Sequence, residues 1–522
     1  MASLSVSHDG GNRMDWIKKH ETMCQWLIAI LLATTSLMQT NAANPHGAPS
    51  VDAGTFAYVG MVICHGGMPY VDVFDHKGPL LYIFNALAMG MGSWRMIAVF
   101  EAAALVAALF LILRTARLRA GFFSSLMITV LCTWLMNRYM LEGGNFTEEF
   151  ALPWIALAEL LFLRFFQEGA IGRRGLFAIG FSLSMIVALR PNMIAVWAIG
   201  IPVSMWLLIR QQRLRQGFRW AFGGFVAGIA PFLLWMGARG ALRASWETYI
   251  VFNVHYSQKI LAFSQSFMMD GKPFWKNLGH ISAFRIFARH GGWQSILLCI
   301  LAMAWRRHWR DSAAWASLAI LVLSLLTACM SGMPFGHYAI VVLPTLAYPL
   351  AVFCEAFEQL QIRSVPAGRY VLAFGSLAFA ASLLFSSAKG YATVCRQPPS
   401  NPLNMHMREA ASYIRSRTSS DDRILVCGGQ TAIYPFSGRF AASKYSYQYP
   451  ILLVEPERMD EFFQQIDRNP PKVIVEWRVM LDYEPMKMKE FLQTHGYEIA
   501  PGYAGTDDCM IYVQSLGLND HL

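Results

Sequence analysis

The sequence predicts a polytopic α-helical membrane protein with a small C-terminal α/β domain on the outer side. Three observations predict it. Only 15% of the 522 residues are charged, where a soluble domain carries about 25%. Apolar runs of roughly twenty residues recur along most of the chain, the length that crosses a bilayer as a helix. Beyond residue 391 the pattern changes to short strands alternating with amphipathic helices, the signature of an α/β layer domain.

Residues 1–22 are polar and read as a cytosolic tail, with Lys18 and Lys19 before the first apolar run, Trp26–Met38. That run is short, and Thr40-Asn41-Ala42 resembles a small-residue cleavage site, so a signal peptide is the competing reading. Either way the next residues are delivered outside. They form an external loop over 40–93. Gly54–Cys64 and Leu80–Met91 are too short to cross and are expected to be interfacial helices. Full spans are expected near 94–113, 120–138, 151–166, 175–189, 192–209, 220–238, 291–305, 313–330, 337–354 and 369–387. With the first run this makes about eleven spans, in a membrane domain covering 23–390.

The net charge of +10 does not point to nucleic acid, because the basic residues form no stripe with interleaved aromatics. They cluster between apolar runs: Arg114, Arg117 and Arg119; Arg173 and Arg174; Arg210, Arg213, Arg215 and Arg219; Arg306, Arg307 and Arg310; Arg363 and Arg369. Eleven spans put all of these on one side, which the positive-inside rule makes cytosolic. The external loop and residues 391–522 then face away from the cytosol. The basic loop over 239–290 runs against the rule, which weakens for long loops. Glu101 and Glu159 lie within spans, and Glu101, the deeper, is expected to face the bundle interior. Glu159 stands within reach of Arg164 or of water.

Past residue 391, MHMREAASYIRSR reads as an amphipathic helix and RILVCGG as a buried strand ending in a glycine turn. EPERMDEFFQQIDRNP is a helix, PKVIVEW a strand and EPMKMKEFLQTHGYE a helix. Gly428-Gly429 lacks the spacing of a dinucleotide fingerprint. The nine cysteines include no C-x-x-C. Among Cys395, Cys427 and Cys509 one pair could be bridged outside the cytosol.

The chemistry is expected in the external loop, which is dense in charge beside the bilayer. It carries Asp52, Asp72 and Asp75, followed by His76 and Lys77 in the run D-H-K-G-P. An external transferase needs a donor that crosses the membrane, such as a polyprenyl-phosphate sugar. It needs a carboxylate base for the acceptor hydroxyl and cations for the lipid phosphate. The aspartates supply the first; His76 and Lys77, with Arg138, Arg190 and His337 at external span ends, supply the second. Each has a structural alternative. Asp52 can be a helix N-cap, Asp72 and Asp75 can make Asx turns, and a lone span-end Arg can be an anchor. The aspartate trio could also hold a divalent cation. The sequon Asn145-Phe146-Thr147 is a weak signal.

Several segments resemble the GT-C superfamily of polytopic glycosyltransferases, in the branch of protein O-mannosyltransferases and lipid A aminoarabinose transferases. They are D-A-G-T-F-A-Y-V-G; G-M-P-Y-V-D-V-F-D-H-K-G-P-L-L-Y; G-G-N-F-T-E-E-F-A-L-P; A-L-R-P-N; G-H-Y-A-I-V-V-L-P; and Y-P-F-S-G-R-F-A-A-S-K-Y. The resemblance implies a polyprenyl-phosphate sugar donor, inversion at the anomeric carbon and an aspartate base in the first external loop. By position that base is Asp52. Ala53 follows it where the family often has an acidic residue, which leaves Asp72 and Asp75 as rivals. The outer domain would help bind a glycan, lipid or protein acceptor, with Tyr434, Arg439, Lys444 and Tyr445 as candidates. The expectation is a transferase of the cell (inner) membrane. The alternative is a transporter or flippase of a lipid-linked saccharide, for which matching broken-helix halves would be the sign; none is visible.

Overall fold

The computed structural model describes residues 20–263, 280–306, 309–330, 332–364, 368–396, 402–477, 485–501, 503 and 509–514. The expected tail over 1–22 lies almost wholly outside the described residues, as do Lys18, Lys19 and Arg307. Helices stand at every expected span: α1 Glu21–Leu37, α2 Val51–Cys64, α3 Pro79–Gly90, α4 Ile97–Ala116, α5 Phe122–Tyr139, α6 Thr147–Glu168, α7 Arg173–Leu189, α8 Ala195–Arg210 and α9 Leu214–Ala238, then α10 Phe252–Phe263, α11 Ser282–Arg289, α12 Gly292–Trp305, α13 Ser312–Cys329, α14 Leu343–Ser364 and α15 Gly368–Arg396. Among the described residues, five helices are long and apolar enough to cross a membrane. A sixth is possible if α11 and α12, bent by 52°, form one broken span. The remaining helices are shorter or less apolar, so eleven crossings stay an expectation.

The two short helices expected within 40–93 appear as α2 and α3, 14 and 12 residues long. Ser50 caps α2, its hydroxyl accepting the Ala53 N–H at 3.4 Å. The capping role considered for Asp52 therefore belongs to Ser50, and Asp52 lies inside the first turn. Pro79 opens α3, where its fixed φ and missing N–H cost nothing. The two helices touch backbone to backbone: a methyl at Gly60 would sit 2.6 Å from the Asn85 carbonyl carbon. A crossing of small residues also joins α7 to α9, where a methyl at Gly224 would meet the Phe177 carbonyl oxygen at 2.0 Å. Such close crossings let helices pack by dispersion where no hydrophobic drive exists.

Glu101 is fully buried, as expected; Glu159 is fully buried too, and so does not reach solvent as the sequence suggested. Arg164 is not the partner of Glu159, because it binds Glu168 at 2.8 Å, one helical turn on.

The C-terminal region begins with a helix over Pro402–Arg417. Strands β1 Arg423–Cys427, β2 Phe440–Ala441, β3 Val473–Trp477, β4 Tyr497–Ile499 and β5 Cys509–Gln514 form one sheet in the order β2-β1-β3-β5-β4. β1 pairs in parallel with β2 and β3; β5 runs antiparallel to β3 and β4. The expected strands and helices are present, and β2, β4 and β5 are additions. The sheet rests on the segment 40–93. Ala441 N donates to Tyr58 Oη at 2.8 Å, the Thr55 and Thr431 hydroxyls lie 3.0 Å apart, and Phe74 N donates to the Lys444 carbonyl at 2.8 Å. None of the nine cysteines is in a disulfide, and Cys427 and Cys509 are buried.

Candidate active site

The D-H-K-G-P run forms a buried loop between α2 and α3. Asp75 and His76 are each about 5% exposed, and Lys77 is half-buried. Asp75 accepts the Tyr82 hydroxyl at 2.7 Å, and the same hydroxyl accepts Lys77 N at 2.9 Å. Burial raises the Asp75 carboxyl above its ordinary range, against the opposing pull of Lys77 and Tyr82. Burial, with the cations of Lys77 and Arg190 nearby, pushes His76 well below its ordinary value and keeps it neutral. Its ring lies against Tyr256, centroids 4.6 Å apart, and Lys77 Nζ is 3.3 Å from its Nε2.

Gly78 carries this loop to the end of α7. A methyl there would lie 2.1 Å from the Ala188 carbonyl oxygen, and Gly78 N donates to the Leu189 carbonyl at 3.1 Å. Only glycine permits that approach, and it brings Lys77 towards Arg190. Pro191 ends α7 by pushing Arg190 into extended backbone, φ −163°, ψ 104°. The Arg190 side chain, 23% exposed, pairs with buried Glu148 at the start of α6. It also lies 4.7 Å from the Tyr338 ring centroid. Between Arg190, Glu148 and Tyr338 is a cleft of about 310 Å³.

Asp52 is half-buried, and its carboxylate makes no hydrogen bond to protein among the described residues. Its charge acts on Asp75, on Tyr256 and on Tyr447 of the C-terminal region. Gly429, just past β1, packs on Val51, a methyl there lying 3.2 Å from its Cγ1. The carboxyl end of the parallel part of the sheet thus abuts the helix end that holds Asp52. In open α/β sheets ligands collect at that edge. Tyr447 and Tyr449, half-buried, stack beside it with centroids 6.3 Å apart.

The structure therefore gathers Asp52, Asp75, His76, Lys77 and Arg190. Other expected site residues stand apart or are engaged. Asp72 is exposed, and its carboxylate accepts Met68 N at 2.6 Å, four residues back, a bond within the loop in place of the expected Asx turn. Arg138 is exposed and lies over Tyr139. His337 is buried, stacks on Phe146 and meets the Glu142 carboxylate at 2.6 Å. Tyr434 is fully buried, its hydroxyl accepting Val426 N. Arg439 donates to Thr418. Tyr445 is buried and donates to Glu461, which also pairs with Lys444 at 2.6 Å. The aspartates do not assemble as a metal site: the described residues hold no group of three or more His, Cys, Asp or Glu able to share an ion.

Glu148, Tyr338, Tyr70, Tyr82, Asn253 and Tyr256 carry no role in the sequence reading. Glu148 had a signal, an acidic pair Glu148-Glu149 opening an apolar run. The tyrosines had none, since aromatics at helical spacing are ordinarily core.

The architecture, a bundle of apolar helices with a small C-terminal sheet, is similar in fold to ArnT. Two crystal structures of ArnT from Cupriavidus metallidurans carry the likeness. The one bound to undecaprenyl phosphate aligns with a TM-score of 0.59 at 11% identity, covering 94% of this chain and 97% of that one. The one in the apo state gives 0.58 at 13% identity, covering 96% and 98%. By sequence, residues 19–270 match the family described as the competence-induced protein Ccs4 N-terminal domain. No curated protein is detectably similar to the chain.

Proposed function

We propose that the protein is an integral-membrane glycosyltransferase. It moves a sugar from a polyprenyl-phosphate donor to an acceptor on the outer face of a cell membrane, with the C-terminal domain on that face. The observation that carries the reading is the convergence of one unengaged carboxylate, Asp52, with two cations, Lys77 and Arg190. Asp52 takes the proton of an acceptor hydroxyl. The acceptor oxygen bonds to the anomeric carbon as the bond from that carbon to the phosphate oxygen breaks, inverting the centre. The polyprenyl phosphate leaves with its charge compensated by Lys77 and Arg190. The acceptor approaches from the sheet side, past Tyr447 and Tyr449. The bound lipid phosphate in one ArnT structure favours a donor of this class.

The test is incubation of the purified protein with radiolabelled polyprenyl-phosphate sugars and a membrane extract. Label is expected to move to a new covalent product. Label crossing a reconstituted bilayer without any product would favour the transporter reading instead.

A further inference from the structure

The four backbone polar groups surrounding Lys77 are all fixed, each by a different partner. His76 O accepts Asn253 Nδ2 at 2.6 Å, and Lys77 N donates to Tyr82 Oη at 2.9 Å. Lys77 O accepts Tyr70 Oη at 2.7 Å, and Gly78 N donates to Leu189 O at 3.1 Å. Tyr82 in turn donates to Asp75 at 2.7 Å, which orients its hydroxyl so that the lone pair faces Lys77 N. Both tyrosines are buried, at 3% and 0% exposure, with ring centroids 5.8 Å apart. Tyr70 holds φ +70°, a left-handed conformation that a side-chain-bearing residue adopts only when its surroundings impose it. Its own N–H is anchored to Val73 O at 2.8 Å.

The side chain above this fixed backbone is the opposite. Lys77 Nζ has neutral His76 at 3.3 Å and no carboxylate within ion-pair distance among the described residues. A loop meant only to be stable would pair its lysine; this one leaves the ammonium open and fixes its base.

We propose that Tyr70, Tyr82 and Asp75 are positioning residues that aim Lys77 at the phosphate of a lipid-linked donor, with Asp75 serving the Tyr82 hydroxyl rather than the acceptor. The proposal rests on Lys77 as a phosphate ligand. Preorganising a flexible lysine removes an ordering cost at binding, so loss of either tyrosine hydroxyl lowers affinity through Lys77 alone.

The test uses the full-length protein in detergent and farnesyl phosphate as the probe, with binding measured for Lys77→Met, Tyr82→Phe, Tyr70→Phe and Tyr82→Phe/Lys77→Met. Lys77→Met is expected to weaken binding about tenfold or more, the scale of one charge-assisted contact. Each tyrosine variant is expected to weaken it about threefold to tenfold, and the double variant no further than Lys77→Met, because coupled residues are non-additive. A purely structural knot would give additive losses, which overturns the proposal, as does wild-type binding by both tyrosine variants. Wild-type binding by Lys77→Met would instead remove the phosphate assignment beneath it. If Tyr82→Phe does not fold, Tyr70→Phe with its own Lys77→Met double gives the same reading.

Discussion

Asp52 and Asp75 lie in one electrostatic neighbourhood, and the chain treats them in opposite ways. Asp75 is buried, its carboxylate bound to Tyr82 and its pKa raised by burial. Asp52 sits in the first turn of α2, half-buried and without a hydrogen bond to protein among the described residues. A base must be able to reach substrate and accept its proton. A carboxylate already accepting a buried hydroxyl meets neither condition cheaply. Of the rivals that sequence leaves open, the contrast favours Asp52 as the group that acts and Asp75 as a group that holds.

The sharpest way to break this contrast is Asp52→Asn. Transfer is expected to fall by about 10²–10⁴-fold, the usual worth of general base catalysis, with little change in melting temperature because that carboxylate accepts no hydrogen bond from the protein among the described residues. Wild-type rates of product formation by the variant would hand the role back to Asp75. A smaller effect is expected at the cation on the far side of the cleft. Glu148 fixes Arg190, so Glu148→Ala leaves the guanidinium unanchored. The loss of a charged hydrogen bond, about 1.5–3 kcal/mol, should appear as a rise in KM for the donor of about ten- to a hundredfold. An effect confined to kcat would mean that Arg190 does not hold the ground-state phosphate.

How much of this was readable beforehand follows from what each residue's neighbours are. Helices α2 and α3 were legible from the length of two apolar runs, and β1 and β3 from their bounded apolar composition. The cluster Asp75-His76-Lys77 was legible because charge beside apolar runs needs a reason. Arg190 was legible through the break that Pro191 imposes. The fixing of Lys77 by Tyr70 and Tyr82 was not, because tyrosines five and seven residues away are indistinguishable from packing until the loop is folded. The engagement of His337 by Glu142, and of Tyr434 and Tyr445 inside the sheet domain, was hidden for the same reason. Those partners lie 195, 8 and 16 residues distant, and nothing local marks a hydroxyl or imidazole as already bound. β4 escaped because it is only three residues long.

The smallest effect is the most diagnostic of Asp75's holding role, and it lies in pH. The folded protein keeps this carboxyl above its ordinary value of 3.8. Between 3.8 and the raised value the folded state therefore binds a proton that the unfolded chain has released. Stability must then fall as pH rises through that window, and the loss is complete once Asp75 ionises in the folded state. Asp75→Asn cannot ionise, yet its amide oxygen can still accept the Tyr82 hydroxyl. The variant should melt with a flatter pH profile than the wild type on the acid side of neutrality. At pH 7 it should be at least as stable, within about 1 kcal/mol, and it should retain transfer within about tenfold of wild type, since the hydrogen bond that aims Lys77 persists. Parallel melting and transfer measurements on the two proteins from pH 4 to 8 decide the matter. Superimposable pH profiles would mean that Asp75 does not titrate in the window its burial dictates, and a collapse of transfer with melting unchanged would make Asp75, not Asp52, the group that takes the proton.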